Sequence, residues 1–289
     1  MTTSDYCSAI SRSSKEPLAG SAPRCTTWLF LEEAGPWGAK VPGDAAISPT
    51  VLQALDRAAR QFPGLRVQFI RRPGRSRPER TLFLARAMDG AFTLHSQTLR
   101  ELDALGTLDL AALTLDGSAE IHTPTYFVCV HGQRDLCCAK WGIPIYQALS
   151  KIAPDSTWQC SHLGGHRFAP TLLVLPLGPM YGHVQANELP RLHRASLGGD
   201  IYDLDRLRGQ PNLSQAAQVA EHNLRSTLGE HSLSALRHER SQEFTGGSDE
   251  YFRHRGELHQ RRVTHTSGPD RQRSCGGGPR KTQLWSVGG

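Results

Sequence analysis

The chain has 289 residues, a formal net charge of +6, and 38% hydrophobic against 21% charged residues. This length favours two domains of ordinary size, and the composition is typical of a globular protein. Residues 1–25 lack the apolar core of a signal peptide, and no apolar run approaches the ~20 residues of a membrane span. Seven cysteines, an odd number, favour a reducing compartment over a disulfide framework. We therefore expect a cytoplasmic location and no contact with a membrane.

The first half of the chain predicts a strand, a helix, a strand, a hairpin and a short helix. Aromatic and β-branched runs indicate the strands, and apolar residues at helical spacing indicate the first helix, which has Pro49 in its first turn. In chain order, the predicted elements are Thr27–Glu32, a helix from Ser48 to Phe62, Leu65–Ile70, a hairpin from Thr81 to Leu94 around Asp89-Gly90, and Thr98–Leu105.

The second half predicts the same order of elements. They are Tyr126–Val130, a helix Cys138–Ile152 with Asp135 as its N-cap, Thr157–Cys160, a hairpin from Thr171 to Val184 around Gly178-Pro179, and Asn187–Ala195. An offset of 90 residues also aligns four identical residues, Thr81, Leu82, Leu99 and Leu102, with Thr171, Leu172, Leu189 and Leu192. We infer two copies of one fold.

This order is that of thioredoxin, a βαβ unit followed by a hairpin and a helix. We therefore predict an α/β protein with two thioredoxin-like halves, each a mixed sheet with flanking helices. Pro170, before the third strand of the second half, is the candidate for the cis proline that lies beside the redox centre of thioredoxins. A helix Leu213–Leu228 and strands near Arg261–His265 and Gln283–Val287 are expected to cover the sheet, with Trp285 in the core.

The predicted organisation has four parts. Residues 1–24 form a flexible N-terminal segment, residues 25–110 a first thioredoxin-like half, and residues 111–200 a second thioredoxin-like half that contains Cys129, Cys138, His162 and His166. Residues 201–289 form a C-terminal helix and a basic, strand-rich extension. The loop Glu33–Gly38 of the first half has neither Cys nor His, and we interpret it as a scaffold or partner surface.

Two cysteines and two histidines carry the chemistry of the chain. Cys129 and Cys138 are separated by eight residues, and His162 and His166 by three. Cys129 ends a predicted strand and Cys138 begins a predicted helix. Packing alone gives no reason for two thiolates and two imidazoles to converge, whereas soft sulfur and ring nitrogen are ligands of metal centres. We interpret the four residues as ligands of an iron–sulfur cluster.

The strings CVHGQRDLCCAKWG at residues 129–142 and SHLGGHRFA at residues 161–169 resemble the sucrase/ferredoxin-like family, as do EPL at 16–18 and GPWG at 35–38. This resemblance implies a 2Fe-2S cluster held by Cys129, Cys138, His162 and His166. Histidine ligation raises the reduction potential to roughly −150 to +300 mV in Rieske centres, against about −400 mV in plant-type ferredoxins. We expect a one-electron carrier with coupled proton uptake rather than a self-contained enzyme.

Neighbouring residues are expected to support the cluster. Gly164 and Gly165 permit positive φ and a close approach of backbone N–H groups to the bridging sulfides. Arg134 would supply a nearby charge, and Asp135 would orient it or cap the helix. His131 is either an ordinary histidine or a supporting and proton-relaying group.

The remaining cysteines are interpreted as structural. Cys137 is predicted to be an inert or redox-sensitive thiol rather than a ligand. Small buried hydrophobic roles are predicted for Cys7, Cys25, Cys160 and Cys275.

The last segment of the chain is basic. Residues 251–289 contain eight Arg and Lys and two acidic residues, a net charge of +6. This segment is either a solvated tail or a docking surface for an acidic redox partner. Nucleic acid is not expected, because few aromatic residues alternate with the charges.

Three alternatives have to be distinguished from an electron carrier. Two Cys and two His also make a structural zinc site, although zinc fingers use a shorter spacing between the cysteines. A thiol-based redox protein would normally carry the C-x-x-C spacing that this chain lacks. A hydrolase is disfavoured, since the sequence has no G-x-S-x-G motif.

Overall fold

Helices flank a nine-stranded sheet of parallel and antiparallel strands, so the protein has a mixed α/β fold. The computed structural model describes residues 6–74, 78–114 and 119–288. The α-helices in these ranges are Cys7–Ser13 (α1), Pro49–Gln61 (α2), Leu136–Ile152 (α3), Leu189–Leu197 (α4) and Gln215–Leu228 (α5). The strands of this sheet are Thr27–Glu32 (β1), Arg66–Arg71 (β2), Arg80–Met88 (β3), Ala91–Leu99 (β4), Thr125–Cys129 (β5), Thr157–Cys160 (β6), Leu172–Leu175 (β7), Met180–Tyr181 (β8) and Leu207–Gly209 (β9).

The strand order is β4-β3-β1-β2-β6-β5-β7-β8-β9, and it repeats one pattern on each side of the centre. In the first half β1 and β2 are parallel, β3 is antiparallel to β1, and β4 pairs with β3. In the second half β5 and β6 are parallel, β7 is antiparallel to β5, and β8 pairs with β7. The antiparallel contact of Ile70 with Cys160 and of Arg71 with Gln159 joins the two halves into one sheet.

Local sequence explains where the helices begin. Ser48 is the N-cap of α2, because its side chain accepts a hydrogen bond from the Val51 amide, and Pro49 occupies the first turn. Asp135 is the N-cap of α3 and accepts from the Cys137 amide. Both predicted N-caps are therefore confirmed, although α3 begins at Leu136, two residues earlier than predicted.

The short helix predicted over Thr98–Leu105 is wrong in its first part. Thr98 and Leu99 belong to β4, where they pair with Thr81 and Arg80 across the hairpin. The ladder of the hairpin holds these two residues extended, and a 3₁₀ helix over Leu102–Gly106 follows. The predicted helix Asn187–Ala195 corresponds to a 3₁₀ turn over Ala186–Glu188 and then α4.

Alternation of side chains along the strands places apolar residues on both faces of the large sheet. Leu29 and Leu31 of β1 point to the face covered by α2 and α3, where Val51 and Leu149 are also buried. On the opposite face lies a second apolar cluster, with Trp28, Phe30, Phe127, Cys129, Cys138, Trp158 and Cys160 among its members. Two candidate ligands therefore belong to a buried apolar layer.

The C-terminal region forms a second sheet of four antiparallel strands. They are Leu236–Phe244 (β10), Gly247–His254 (β11), Glu257–Gln272 (β12) and Pro279–Val287 (β13), in that spatial order. Phe252 and Val263 bury against Ala217 and Leu224 of α5, and Trp285 is partly buried in this cluster. Trp285 was predicted to lie in the core; it is only partly buried, at the edge of this cluster. Both predicted strand segments lie within longer strands of this separate sheet.

The domain boundaries given above remain a prediction. The segment expected to be flexible contains α1, in which Cys7 is fully buried. Within residues 6–74, 78–114 and 119–288, none of the helices has both the length and the apolarity needed to cross a bilayer.

Candidate metal centre

The candidate ligands meet at one edge of the second half-sheet. β5 and β6 are parallel, with Cys129 opposite Cys160, so their carboxyl ends lie at the same edge. Cys129 is the last residue of β5, and His162 follows β6 by two residues. The helix that connects these strands, α3, starts at this edge and carries Cys138 in its first turn. The βαβ topology thus brings three of the four predicted ligands together.

Their ligand atoms are close enough to share a metal. The Nδ1 atom of His162 lies 3.6 Å from the Cys138 sulfur and 3.9 Å from the Cys129 sulfur. The three ligand atoms all lie within 4.8 Å of one another. A hydrogen bond from the Cys138 thiol holds the pKa of Cys129 well below its ordinary value, and the same contact raises the pKa of Cys138. Cys129 is therefore predisposed to the thiolate form that binds metals.

The fourth predicted ligand, His166, lies beside this group. Its ring centroid is 5.0 Å from that of His162, and it begins a 3₁₀ helix over His166–Phe168. The Nε2 atom is 3.6 Å from a carboxylate oxygen of Asp135. The buried Nδ1 atom has no hydrogen-bond partner in the described part of the chain. Burial lowers the pKa of His166, and the Asp135 charge opposes this effect. The neutral ring thus offers Nδ1 as a free ligand atom.

His131 connects the two halves at the site. One ring nitrogen, Nε2, donates to the carbonyl of Gly38 at 2.6 Å, and Nδ1 accepts from the amide of His162 at 3.2 Å. Burial lowers the pKa of His131, which is consistent with a neutral ring that donates at one nitrogen and accepts at the other. Trp37 contacts the ring edge on, with centroids 5.8 Å apart. The loop Glu33–Gly38 therefore supports the backbone of a candidate ligand, as a scaffold would.

Gly165 makes room for a buried arginine that the sequence analysis missed, and Gly164 beside it also has a positive φ. The φ values of Gly164 and Gly165 are +100° and +71°, and a Cβ atom on Gly165 would collide with the guanidinium of Arg208. Arg208, which is 1% exposed, donates to the Gly164 carbonyl at 2.9 Å and to the Ser21 hydroxyl at 3.0 Å. Burial lowers the pKa of Arg208 to about 9. No motif in the sequence marks this residue.

The other predicted neighbours have distinct positions. Arg134 is exposed and, with Lys40, Arg66 and His162, lines a cleft of about 480 Å³. Pro170 is buried and follows a cis peptide bond, as predicted. Asp135 caps α3, accepts from the Cys275 amide at 2.9 Å, and approaches His166. It therefore lies between the candidate centre and the C-terminal sheet.

The cysteines outside the site behave in two ways. Cys25 and Cys160 are buried, as predicted for small apolar side chains. The sulfur of Cys137 instead lies 3.4 Å from that of Cys7 and 3.2 Å from that of Cys275. Seven free thiols are present, and these three form a group of their own.

Comparison with known proteins identifies the family. The family model described as sucrase/ferredoxin-like matches residues 18–209. The matched region contains the four candidate ligands and Arg208, and it ends before α5 and the C-terminal sheet. Searches of curated proteins and of solved structures returned no match. Because the family model covers more than half of the chain, this protein belongs to the sucrase/ferredoxin-like family.

Proposed function

We propose that this protein is an iron–sulfur electron carrier in which Cys129, Cys138, His162 and His166 hold a 2Fe-2S cluster. The observation that carries the proposal is the convergence of two buried sulfurs on the Nδ1 atom of His162, beside the unpartnered Nδ1 atom of His166. The donor set suits the group, since thiolates and imidazoles are the ligands of Rieske-type centres. When bound, the cluster would supply a one-electron redox centre of raised potential.

The protein groups around the site have defined tasks in this proposal. Asp135, 3.6 Å from the Nε2 atom of His166, favours a proton on that nitrogen and leaves Nδ1 free to bind, as carboxylates do for many histidine ligands. His131 fixes the backbone of His162 through its amide. Arg208 fixes the carbonyl of Gly164 between the two histidines. The Nε2 atom of His166 is the position from which we expect a proton to leave when the centre loses an electron and to which a proton would return when an electron is added.

The two thioredoxin-like halves belong to the same proposal. Each half has a parallel strand pair around a helix, followed by a third strand antiparallel to the first. Only the second half carries the Cys and His ligands, and the first supports them through Gly38. The free thiols favour a cytoplasmic location for such a carrier.

We further propose an acidic redox partner. The cleft next to His162 is lined by Lys40, Arg66 and Arg134. On the other side of the site, the C-terminal segment places Arg271, Arg273 and Lys281 in a cleft that also contains Gly165. Cations on both sides of the centre would attract an acidic surface and speed its association at low salt.

A zinc site is the second candidate, because three ligand atoms within 4.8 Å also suit a single ion. A thiol-based redox protein is a third, since the contact between Cys129 and Cys138 lowers the pKa of one thiol. Both alternatives predict a colourless protein. The electron-carrier proposal predicts a red-brown protein with iron and acid-labile sulfide in equal amounts.

The test uses the full chain prepared anaerobically. Iron and sulfide are assayed, and the EPR spectrum of the dithionite-reduced protein is recorded for wild type, His162→Cys and His166→Cys. We expect a low average g value in wild type that moves toward the all-thiolate pattern in both variants. His193→Cys is the control, because His193 contacts Tyr126 away from the site. Protein without iron and sulfide, or with zinc alone at Cys129 and Cys138, would overturn the proposal.

A further inference from the structure

Three thiols from distant parts of the chain meet one carboxylate outside the proposed cluster site. Cys7 comes from α1, Cys137 from the first turn of α3, and Cys275 from the turn between β12 and β13. Asp135, the N-cap of α3, completes the group, and the four ligand atoms all lie within 4.8 Å of one another. We propose that Cys7, Asp135, Cys137 and Cys275 form a second metal site, which binds zinc as a structural ion.

The distances between the sulfurs suit a tetrahedral ion. The Cys137 sulfur is 3.4 Å from that of Cys7 and 3.2 Å from that of Cys275, and Cys7 and Cys275 are 3.7 Å apart. Zinc–sulfur bonds of about 2.3 Å at tetrahedral angles separate two sulfurs by roughly 3.8 Å. Small outward movements of the side chains would therefore admit the ion. A disulfide, in contrast, would join two of the three thiols and leave the third unpaired.

The carboxylate is already fixed in position for the fourth bond. One oxygen of Asp135 accepts from the Cys137 amide and the other from the Cys275 amide, each at 2.9 Å. The first of these oxygens is 3.9 Å from the Cys7 sulfur. Cys7 and Cys137 are fully buried, and Asp135 is 5% exposed. A bound cation would offset the charge of the carboxylate and of the thiolates that form when the metal binds.

The donor set selects the kind of metal. Calcium and magnesium prefer oxygen ligands, and three thiolates would bind them poorly. Zinc prefers thiolates in a closed tetrahedral site when it has a structural role. The site shares no ligand with the proposed cluster, although Asp135 also approaches His166.

The position of the site indicates what the ion would do. It would link α1 and the β12–β13 turn to the start of α3, one residue before Cys138. α1 has only seven residues, and a helix of that length is not stable by itself in water. The hydrogen bond from Arg271 to Ser14, at 2.7 Å, is a further contact, which joins the end of β12 to the C-cap of α1. Zinc would thus hold both ends of the described chain against the helix that carries a proposed cluster ligand.

The experiment measures zinc and iron separately in the full chain. Protein reconstituted anaerobically with iron and sulfide is given zinc, passed over a chelating resin, and analysed for both metals. We expect about one zinc ion per chain in wild type, and less than about a tenth of that in Cys7→Ser and Cys275→Ser, with iron unchanged. Cys25→Ser is the matched control, because Cys25 is buried and its sulfur contacts the backbone carbonyls of Thr27 and Gly64, away from this group.

Cobalt provides a second readout, since tetrahedral thiolate-bound Co²⁺ gives intense visible and near-ultraviolet bands. These bands should appear in wild type and Cys25→Ser and be absent from Cys275→Ser, which decides the matter if Cys7→Ser does not fold. Absence of zinc from wild type, retention of zinc in Cys275→Ser, or a native disulfide between Cys7 and Cys275 would overturn the inference. Zinc bound here with no iron would instead count against the proposed cluster alone.

Discussion

Replacing His131 by alanine tests how the first half of the protein supports the proposed cluster. The ring is 3% exposed and makes two hydrogen bonds, to the Gly38 carbonyl at 2.6 Å and from the His162 amide at 3.2 Å. Leaving a buried partner unpaired costs about 1–3 kcal/mol. Because the Gly38 carbonyl and the His162 amide belong to half-buried residues, we expect His131→Ala to lower the free energy of unfolding by about 2–4 kcal/mol in total. The backbone of a proposed ligand would also lose its anchor, and cluster affinity should fall about 10- to 100-fold.

Two measurements separate these effects. Urea denaturation of the metal-free protein gives the loss of folding stability, and the decay of visible absorbance in the presence of a chelator gives the rate of cluster loss. His193→Ala is the control, because it removes one part-buried hydrogen bond away from the site, the 2.8 Å bond between His193 and the Tyr126 hydroxyl. It should change the rate of cluster loss by less than about two-fold. Equal rates of cluster loss in the two variants would refute the supporting role of His131.

Three further predictions concern packing, a buried charge pair and pH. Gly142→Ala places a Cβ against the carbonyl of Cys129; we expect a loss of about 1–3 kcal/mol in urea denaturation and a lower iron content, and full iron content would contradict this. Glu221→Gln breaks a buried ion pair with Arg225, and we expect it to lower the free energy of unfolding by about 3–5 kcal/mol. A loss of less than about 1 kcal/mol, as for a solvent-exposed pair, would contradict this prediction. Burial lowers the pKa of His183 to about 4, below the unfolded value of about 6.5. The stability of the folded protein is therefore unaffected by this ring above about pH 6.5 and falls as the pH falls towards 4, because the unfolded chain then binds a proton that the buried ring does not. Wild type should therefore lose about 2 kcal/mol more than His183→Gln between about pH 7 and pH 5, and equal losses would contradict the assignment.

Elements fixed by local patterns could be predicted closely from the sequence. Thr27–Glu32 and Thr157–Cys160 have the predicted bounds, because an apolar or β-branched run between turns defines a strand by itself. The N-cap at Asp135 could likewise be predicted from the residues next to it in the sequence. The helix predicted for Thr98 and Leu99 is wrong, because pairing across the hairpin determines the conformation of these residues. Tertiary contacts overrode the local preference there.

Long-range contacts could not be predicted in the same way. The spacing of Cys129 and Cys138 around a predicted strand end and helix start indicated that their side chains converge. Nothing comparable joins Cys7 to Cys275, which are 268 positions apart and meet only because α1 and the β12–β13 turn both contact α3. We interpreted each of them singly as a small apolar side chain. Arg208 was missed for the same reason, since its partners Ser21 and Gly164 are far from it in sequence.

The way in which the halves join explains why one ligand set can depend on both. Pairing of β2 with β6 runs antiparallel, so the beginning of β2 continues past the end of β6 and lies beside the residues that lead to His162. There the Ser161 amide donates to the Phe69 carbonyl at 2.7 Å, and the Ser161 hydroxyl donates to Gln68 at 2.6 Å. Together with the hydrogen bond between His131 and Gly38, these contacts fix the position of the site against the first half. The loop that carries His162 is therefore held in part by the first half, which itself contains none of the four candidate ligands.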